Sequence, residues 1–267
     1  MRFGRANPGS TLKPFPAKAN AFTLVELMVV MAVILILASL LVGAMRNAQA
    51  GANQISCMNR MHQLQLAWML YLDEHNDQLP LNQTIPNTGR NSLGSWVTGN
   101  PKEDKDTSSI ELGTLYPYVR SAAIYRCPGD YSVVTGTKQF RTRSYSISRY
   151  MNGDGAGSSN TRIKRTHPAI ILPGPASVFV FIEEHEDSLW AGSFDVADRS
   201  GFSLSASTGW TSTQSSRHSQ GCNLTFADGH NEYWRWTEPK RSNLQTLSTL
   251  SKEQAKDLLR LQQSIPF

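Results

Sequence analysis

The chain has 267 residues, enough for one sizeable domain, and its 40% hydrophobic share with six tryptophans is typical of a globular protein, not of a disordered one. Its net charge of +5 is concentrated at the N-terminus, because the first 21 residues contain four of the 26 Lys and Arg and no acid. The other 22 basic residues nearly balance the 21 acidic ones and are scattered, which argues against nucleic acid as a partner.

The first predicted element is an apolar helix. Residues 27–45 contain no charged side chain, and a helix rising about 1.5 Å per residue can cross a bilayer over that length. The basic residues before it predict a single-pass protein with a cytoplasmic N-terminus and a periplasmic or extracellular C-terminal part. The alternative is a secretory signal cleaved near Gly51, but the apolar region of such signals is shorter, about 7 to 15 residues.

An acidic residue, Glu26, lies at the front edge of the apolar run, in the sequence Phe-Thr-Leu-Val-Glu that begins at Phe22. A carboxylate in lipid is unfavourable by an amount on the order of a few kcal/mol unless it finds a partner, so it indicates a functional role. This segment resembles the type IV prepilin signature. The resemblance implies that a prepilin peptidase removes residues 1–21 by cutting between Ala21 and Phe22, and that the new N-terminus is methylated. Ala21 stands where that family usually has glycine.

The same resemblance implies a function. Glu26 would pair with the free amino terminus of a neighbouring subunit, and residues 22–45 would form the transmembrane and assembly helix. The protein would be a structural subunit of a type IV pilus or a type II secretion pseudopilus. Its partners would be the prepilin peptidase, other pilin or pseudopilin subunits and the inner membrane.

The helical pattern continues beyond the membrane segment, through residues 46–78. Apolar residues recur three and four positions apart, which predicts a helix with one buried face. The acidic stretch 73–77 and Pro80 predict that this helix ends near His75. The predicted buried stripe consists of Met45, Ala48, Ala52, Ile55, Met58, Met61, Leu64, Trp68 and Tyr71.

Residues 79–267 are predicted to form an α+β domain, in which the long helix packs on a mostly antiparallel sheet. A polar loop over 81–109 would contain a short strand at 95–97, and a helical turn would follow at 112–119. Asp228-Gly229 predicts a type I′ hairpin turn, and Ser251 with Gln254 predicts a capping box that opens a final helix. The predicted strands are 143–149, 169–172, 177–183, 222–227 and 231–236.

A second resemblance lies in the C-terminal part. His218, nine residues and then Asp228-Gly229 is similar to the segment of the prepilin-type proteins with an H-X9-DG domain, as is Cys-Pro-Gly-Asp at 127–130. From the residues alone, Asp228-Gly229 is a turn, and His218 caps the hairpin or bonds a strand end. A metal or catalytic set of His218, Asp228 and His230 is the less favoured alternative, because it requires converging geometry.

The three cysteines would lie in an oxidising compartment, so one pair is expected to form a disulfide. The preferred pair is Cys57 with Cys127, which would link the long helix to the sheet domain and restrict the unfolded chain. Cys222 lies in a strand pattern and is expected to be buried without a partner.

No enzyme motif, metal site or cofactor is predicted, although residues 152–160 leave calcium as an open alternative. The acidic run 183–187 is interpreted as a solvated strand edge. The alternative to a structural subunit is a signal-anchored exported carbohydrate-binding module or hydrolase. Its sugar contacts would come from Trp96, Trp190, Trp210, Trp234 and Trp236.

Overall fold

The computed structural model describes residues 23–153, 162–196, 212–238 and 251–267. The chain divides into two compact units, residues 1–46 and 47–267. The first helix, α1, spans Leu24–Glu74, so its end agrees with the prediction near His75. In the first unit, the stretch Leu24–Leu41 has a mean hydropathy of 2.9 and none of it is buried. Within the described ranges, this is the one helix long and apolar enough to cross a membrane.

The second unit is built around a five-stranded sheet. In spatial order its strands are Ser193–Phe194 (β5), Tyr145–Ser148 (β3), Phe179–Glu183 (β4), Gly221–Phe226 (β6) and Asn231–Arg235 (β7). Neighbouring strands are antiparallel except β3 and β5, so the α+β class with a mostly antiparallel sheet is confirmed. Smaller elements are the strand pair Thr84–Ile85 (β1) and Arg90–Asn91 (β2) and the short helices Ser108–Glu111 (α2) and Tyr116–Val119 (α3). The C-terminal helix, α4, spans Lys252–Gln263.

Helix α1 lies on one face of this sheet. The Thr225 hydroxyl of β6 donates to Gln65 Oε1 at 2.6 Å, and Asn231 of β7 donates to the Met58 carbonyl at 3.0 Å. Each buried leucine or methionine side chain stabilises such packing by about 1.5 to 3 kcal/mol. The buried stripe of α1 consists of Cys57, Met61, Leu64, Trp68 and Leu72.

The predicted stripe is wrong in its first part. Met45, Ala48, Ala52 and Ile55 are exposed, because the rest of the second unit covers α1 only from about Cys57 onwards. A periodic apolar pattern shows which residues share a helix face, but it does not show where along the helix that face becomes covered.

The opposite face of the sheet carries α4. Because side chains alternate along a strand, Cys222 points away from the face that contacts α1, and its cross-strand neighbour is Trp234. The Arg260 guanidinium of α4 lies 3.7 Å from the centre of the Trp234 ring. The predicted capping box of α4 is confirmed, with reciprocal hydrogen bonds between Ser251 and Gln254. The second unit therefore has three layers, helix, sheet and helix.

Two predicted strands are absent. The segment 169–172 begins in a 3-10 helix, His167–Ala169, and its Ile171 and Leu172 are exposed. Prolines at 168 and 173 flank the segment, so a strand could not be extended on either side of it without losing backbone donors. The segment 95–97 makes a single bridge from Ser95 to Leu81. Trp96 and Val97 are buried there by packing against other side chains, which a strand-like sequence does not distinguish from sheet pairing.

The turn between β6 and β7 is a hairpin turn, as predicted, but it is not type I′. Phe226 and His230 close a three-residue loop in which Gly229 N–H donates to the Phe226 carbonyl at 2.9 Å. Gly229 has φ of +100°, whereas Asp228 is not among the residues with positive φ. This is a type I turn followed by a glycine bulge, the usual solution for a three-residue hairpin loop.

The glycine of this turn is expected to be required for stability. At Gly229 a Cβ would combine the positive φ with a contact of 2.9 Å to the sulfur of Met69. We expect Gly229→Ala to lower the free energy of unfolding by about 2 kcal/mol, from backbone strain and displacement of the methionine. The measurement is urea unfolding of the full chain in detergent, followed by tryptophan fluorescence.

Gly136 provides the matched control, because it also has positive φ, +73°, but a Cβ there would meet no atom within 4 Å. Gly136→Ala should therefore show the backbone strain alone, about 1 kcal/mol. Equal losses for the two variants would contradict the role given to the Met69 contact.

Candidate functional sites

The first candidate site is the start of α1, which carries the predicted assembly residue. Glu26 accepts hydrogen bonds from the Thr23 backbone N–H at 2.9 Å and from the Thr23 hydroxyl at 2.7 Å, while Glu26 N–H donates back to that hydroxyl at 3.2 Å. Since α1 begins at Leu24, these are the reciprocal bonds of a capping box. The predicted processing residues Ala21 and Phe22 lie outside the described residues.

The helix that follows presents apolar side chains on every side. Those of Leu24, Val25, Leu27 and Leu37, which point in four different directions around the helix axis, are each 55–73% exposed. A surface of this size is unfavourable in water and marks a membrane or protein contact.

The H-X9-DG segment does not bring its ends together. His218 precedes β6 and Asp228 follows it, and a six-residue strand separates its ends by roughly 17 to 20 Å. At the far end, Asp228 Oδ1 lies 2.5 Å from His230 Nδ1 in an exposed turn. Burial there would raise the pKa of Asp228, but hydrogen bonds with His230 hold it below its usual value. The alternative metal or catalytic set of His218, Asp228 and His230 is therefore wrong.

His218 is instead held at the near end of β6 by its own tight turn. His218 and Gly221 exchange backbone hydrogen bonds of 3.2 and 3.0 Å across Ser219 and Gln220, whose φ values of +49° and +66° are those of a type I′ turn. The Tyr233 hydroxyl donates to the His218 carbonyl at 2.5 Å. The backbone of His218 therefore bonds a strand end, which is one of the two roles predicted for this residue. Its imidazole points into the second unit.

That imidazole joins the second candidate site, a buried cluster defined here as Cys57, Cys127, Glu183 and His218. His218 Nε2 lies 3.3 Å from Cys127 Sγ and 3.3 Å from Glu183 Oε2. One ligand atom from each of the four residues lies within 4.8 Å of the others. The four side chains come from α1, the Cys-Pro-Gly-Asp loop, the end of β4 and the turn before β6. The cysteines and Glu183 are fully buried, and His218 is 4% exposed.

Hydrogen-bond donors surround this cluster. The Tyr145 hydroxyl lies 3.2 Å from Cys57 Sγ, and Gly129 N–H donates to Cys127 Sγ at 3.3 Å. Asn223 N–H donates to Glu183 Oε2 at 3.1 Å. The other carboxylate oxygen of Glu183, Oε1, is buried and has no hydrogen-bond partner.

The charges of the cluster depend on one another. Burial raises the pKa of the Cys57 thiol well above its usual value, while a hydrogen bond from Cys57 lowers that of Cys127. For His218, burial would lower the pKa, but hydrogen bonds to Cys127 and Glu183 and their negative charge raise it to about 10. For Glu183, burial would raise the pKa, but the hydrogen bond and charge of His218 lower it. The two thiols are therefore shifted in opposite directions, while His218 and Glu183 favour the charged forms of one another.

A separate network fixes the loop that carries Cys127. A turn closes from Cys127 O to Asp130 N–H at 3.1 Å, and Ser144 links the two residues by accepting from Cys127 N–H and donating to Asp130. Arg217 lies 3.4 Å from Asp130 and 2.7 Å from Glu186. Arg217 thus links the cysteine loop to the segment that follows β4. This link holds Cys127 near Glu183.

The interpretation of residues 183–187 as a solvated edge is wrong for its first two acids. Glu183 and Glu184 are 0% and 1% exposed. Glu184 accepts hydrogen bonds from Ser146 at 2.5 Å and Ser188 at 2.9 Å, and its burial raises its pKa to about 7. Both acids are covered by neighbouring backbone, because Glu183 pairs with Tyr145 of β3 and Glu184 forms an isolated bridge with Gln214. The only sequence signal for Glu183 was its position at the end of an apolar run.

The other predicted features are the cysteine pair, the calcium loop and the candidate sugar-contacting tryptophans. Cys57 and Cys127 are brought together but are free thiols, so their disulfide stays a prediction, and Cys222 is buried as expected. Most of the calcium loop, residues 154–160, lies outside the described residues. Among the tryptophans proposed to contact sugar, Trp96, Trp234 and Trp236 are buried, Trp190 is 49% exposed, and Trp210 lies outside the described residues.

The cluster can bind a metal, but its thiol and imidazole are poorly placed for substrate chemistry. A nucleophilic cysteine needs access to its substrate as well as an activating base. Both cysteines are 0% exposed, so a substrate would have to displace the packed core to reach them.

Comparison with known families bears on the N-terminal site. Residues 16–42 match the family model described as the prokaryotic N-terminal methylation motif. No curated protein and no solved structure gives a significant match to the chain. The matched range contains Ala21, Phe22, Glu26 and most of the apolar run, whereas the H-X9-DG resemblance is untested by it. The chain is thus prepilin-like, with a methylation motif on an apolar N-terminal helix that anchors it in a membrane.

Proposed function

We propose that the protein is a structural subunit of a type IV pilus-like filament or a type II secretion pseudopilus. Prepilin peptidase would cut between Ala21 and Phe22, and the mature subunit would wait in the inner membrane before it assembles with other subunits. The observation that carries this proposal is the methylation motif at residues 16–42, which coincides with a fully exposed apolar helix and its single acid, Glu26.

The orientation follows from charge. The four basic residues ahead of the apolar run favour a cytoplasmic N-terminus, which places the second unit on the periplasmic or extracellular side. The apolar helix would contact lipid before assembly and neighbouring subunit helices afterwards, so its exposed surface has a partner in both states.

The capping box gives Glu26 a role before assembly as well as during it. In the single chain its carboxylate is stabilised by Thr23, so it need not enter the membrane without a hydrogen-bond partner. A carboxylate can accept about four hydrogen bonds, so two bonds from Thr23 leave capacity for the amino terminus of another subunit. In lipid such an ion pair is favoured because no water competes for either charge.

The second function considered, a carbohydrate-binding module or hydrolase, receives little support. A sugar platform needs exposed aromatic faces, and in the described part of the chain Trp190 alone of the proposed tryptophans is substantially exposed. The Lys102 ammonium lies 4.1 Å from the centre of its ring, which occupies part of that surface. The matched motif, one of N-terminal methylation, supports the structural subunit and offers no support for the hydrolase.

Processing can be measured by intact mass. Full-length protein expressed with prepilin peptidase and isolated from membranes should begin at Phe22 and carry one additional methyl group. In a strain without the peptidase it should keep residues 1–21. Ala21→Gly should be processed in the same way, whereas Ala21→Leu should block the cut because the site requires a small residue. A mature chain that begins near Gly51, or an intact leader with active peptidase, would remove the basis of the proposal.

Two substitutions of Glu26 separate charge pairing from helix capping. Gln can keep the capping box but has no charge, whereas Ala loses both. We expect both variants to be exported and processed but to assemble poorly, with filament or pseudopilus yield reduced at least about tenfold, the size of an ion pair worth about 1.4 kcal/mol. Thr23→Val removes the capping hydroxyl and should assemble nearly normally. If Glu26→Gln assembles like the wild type, the pairing role of the carboxylate is refuted.

A further inference from the structure

We propose that Cys57, Cys127, Glu183 and His218 bind one zinc ion, which holds helix α1 against the sheet of the second unit. The site would be structural, because all four ligands come from the protein and all are buried. The inference is independent of filament assembly, since it concerns the folding of the second unit alone.

The spacing of the ligand atoms fits a tetrahedral ion. With metal–sulfur bonds of about 2.3 Å and metal–nitrogen and metal–oxygen bonds of about 2.0 to 2.1 Å, neighbouring ligand atoms are separated by about 3.3 to 3.8 Å. His218 Nε2 lies at 3.3 Å from both Cys127 Sγ and Glu183 Oε2, and the whole set lies within 4.8 Å. The longest of these separations would have to shorten by at most about 1 Å, shared between two side chains, to close the site around an ion.

The hydrogen bonds within the cluster are incomplete in a way that a cation would resolve. His218 Nε2 carries at most one hydrogen, yet it faces a sulfur and a carboxylate oxygen at equal distances of 3.3 Å. Neither contact can then be a short, linear hydrogen bond. Glu183 Oε1 is buried with no hydrogen-bond partner, at a cost of about 1 to 3 kcal/mol, and the positive charge of a cation bound at Oε2 of the same carboxylate would reduce that cost.

The surroundings of the cluster resemble the outer shell of a metal site. Tyr145 and Gly129 place an O–H and an N–H beside the two sulfurs, and Asn223 N–H donates to Glu183. Donors of this kind stabilise thiolates and carboxylates and orient them toward the metal. Cys222, on the opposite face of the sheet, belongs to no such group of possible metal ligands within the described residues.

Zinc is the ion that this set of ligands favours. Two thiolates and one imidazole select a borderline-soft cation, and zinc accepts a carboxylate as the fourth ligand without a demand for other geometry. In the zinc complex both cysteines would be thiolates and His218 would be neutral, so binding would release the protons that these groups carry beforehand. The site would then carry one net negative charge, and the positive Arg217 acts on Glu183 and Cys127.

A disulfide between Cys57 and Cys127 is incompatible with this proposal. A disulfide would require only the two sulfurs, and it would leave His218 and Glu183 facing an uncharged bridge in a buried site. The convergence of those two side chains on the same point favours the metal. Metal content and chain mass distinguish the disulfide from the zinc site.

The test uses the full chain, without a polyhistidine tag, extracted from membranes in detergent without chelator or reductant. Metal analysis should find about one zinc ion per chain. Replacement of zinc by Co²⁺ should give the intense visible bands of a tetrahedral site and the charge-transfer bands of thiolate ligands. These two readouts need no variant, so they remain informative even if ligand substitutions prevent folding.

Variants then assign the ligands. Cys57→Ser and Glu183→Gln should abolish stoichiometric zinc and the Co²⁺ spectrum, while Cys222→Ser, the matched control, should keep both. Tyr145→Phe removes only the hydroxyl beside Cys57 and should weaken zinc binding about 10- to 100-fold. A structural hydroxyl with no link to the metal would leave the affinity unchanged.

The outcomes that overturn the proposal are equally definite. One is a wild-type chain that is two hydrogens lighter, with Cys57 and Cys127 linked and no zinc. Another is a chain with three free thiols that takes up neither Zn²⁺ nor Co²⁺. A third is zinc that persists in Cys57→Ser at the wild-type level.

Discussion

A buried set of charges between helix α1 and the sheet constrains the whole second unit. Cys57, Cys127, Glu183 and His218 come from four separate segments, so the helix, the cysteine loop, strand β4 and the turn before β6 must all be in place before the charges can compensate one another. An unpaired charge in such an interior is unfavourable by several kcal/mol. The cluster therefore favours one arrangement of these four segments over alternatives that bury the same apolar area.

The same kind of constraint operates at the start of α1. Glu26 lies on an apolar helix where water is excluded after insertion, and Thr23 supplies a local partner through the capping box. The two sites differ in the origin of the groups that compensate their charges. The interior cluster lies within one chain, whereas the carboxylate of Glu26 keeps the capacity to accept a donor from a second chain. In the proposed subunit, folding and assembly would thus depend on different groups of the molecule.

Much of the architecture could be predicted because local patterns determine it. The apolar run, the end of α1, strands β3, β4, β6 and β7 and the capping box of α4 all follow from periodicity and from terminating residues. Burial was harder to predict, because it depends on segments distant in sequence. Ile55 fits the helical stripe but is exposed, and Glu183 ends a strand as an acid but is fully buried.

Some members of the candidate cluster could be predicted from the sequence, but their association could not. The predicted disulfide brought Cys57 and Cys127 together, but as a covalent pair and not as metal ligands. His218 was a candidate site residue, but its possible partner was Asp228. Their actual neighbour, Glu183, belongs to a charge run that resembles an ordinary solvated edge. Only the pairing of β4 with β3 and β6 brings its carboxylate to the imidazole, and no local pattern encodes that register.

The burial of the three cysteines makes the chain suitable for cysteine crosslinking between copies. All three thiols of the chain are buried, with 0% exposure for each. A cysteine introduced on the surface would then be the most accessible thiol of the folded molecule. Crosslinking between copies through such single positions would report on neighbouring surfaces with little background from the native residues.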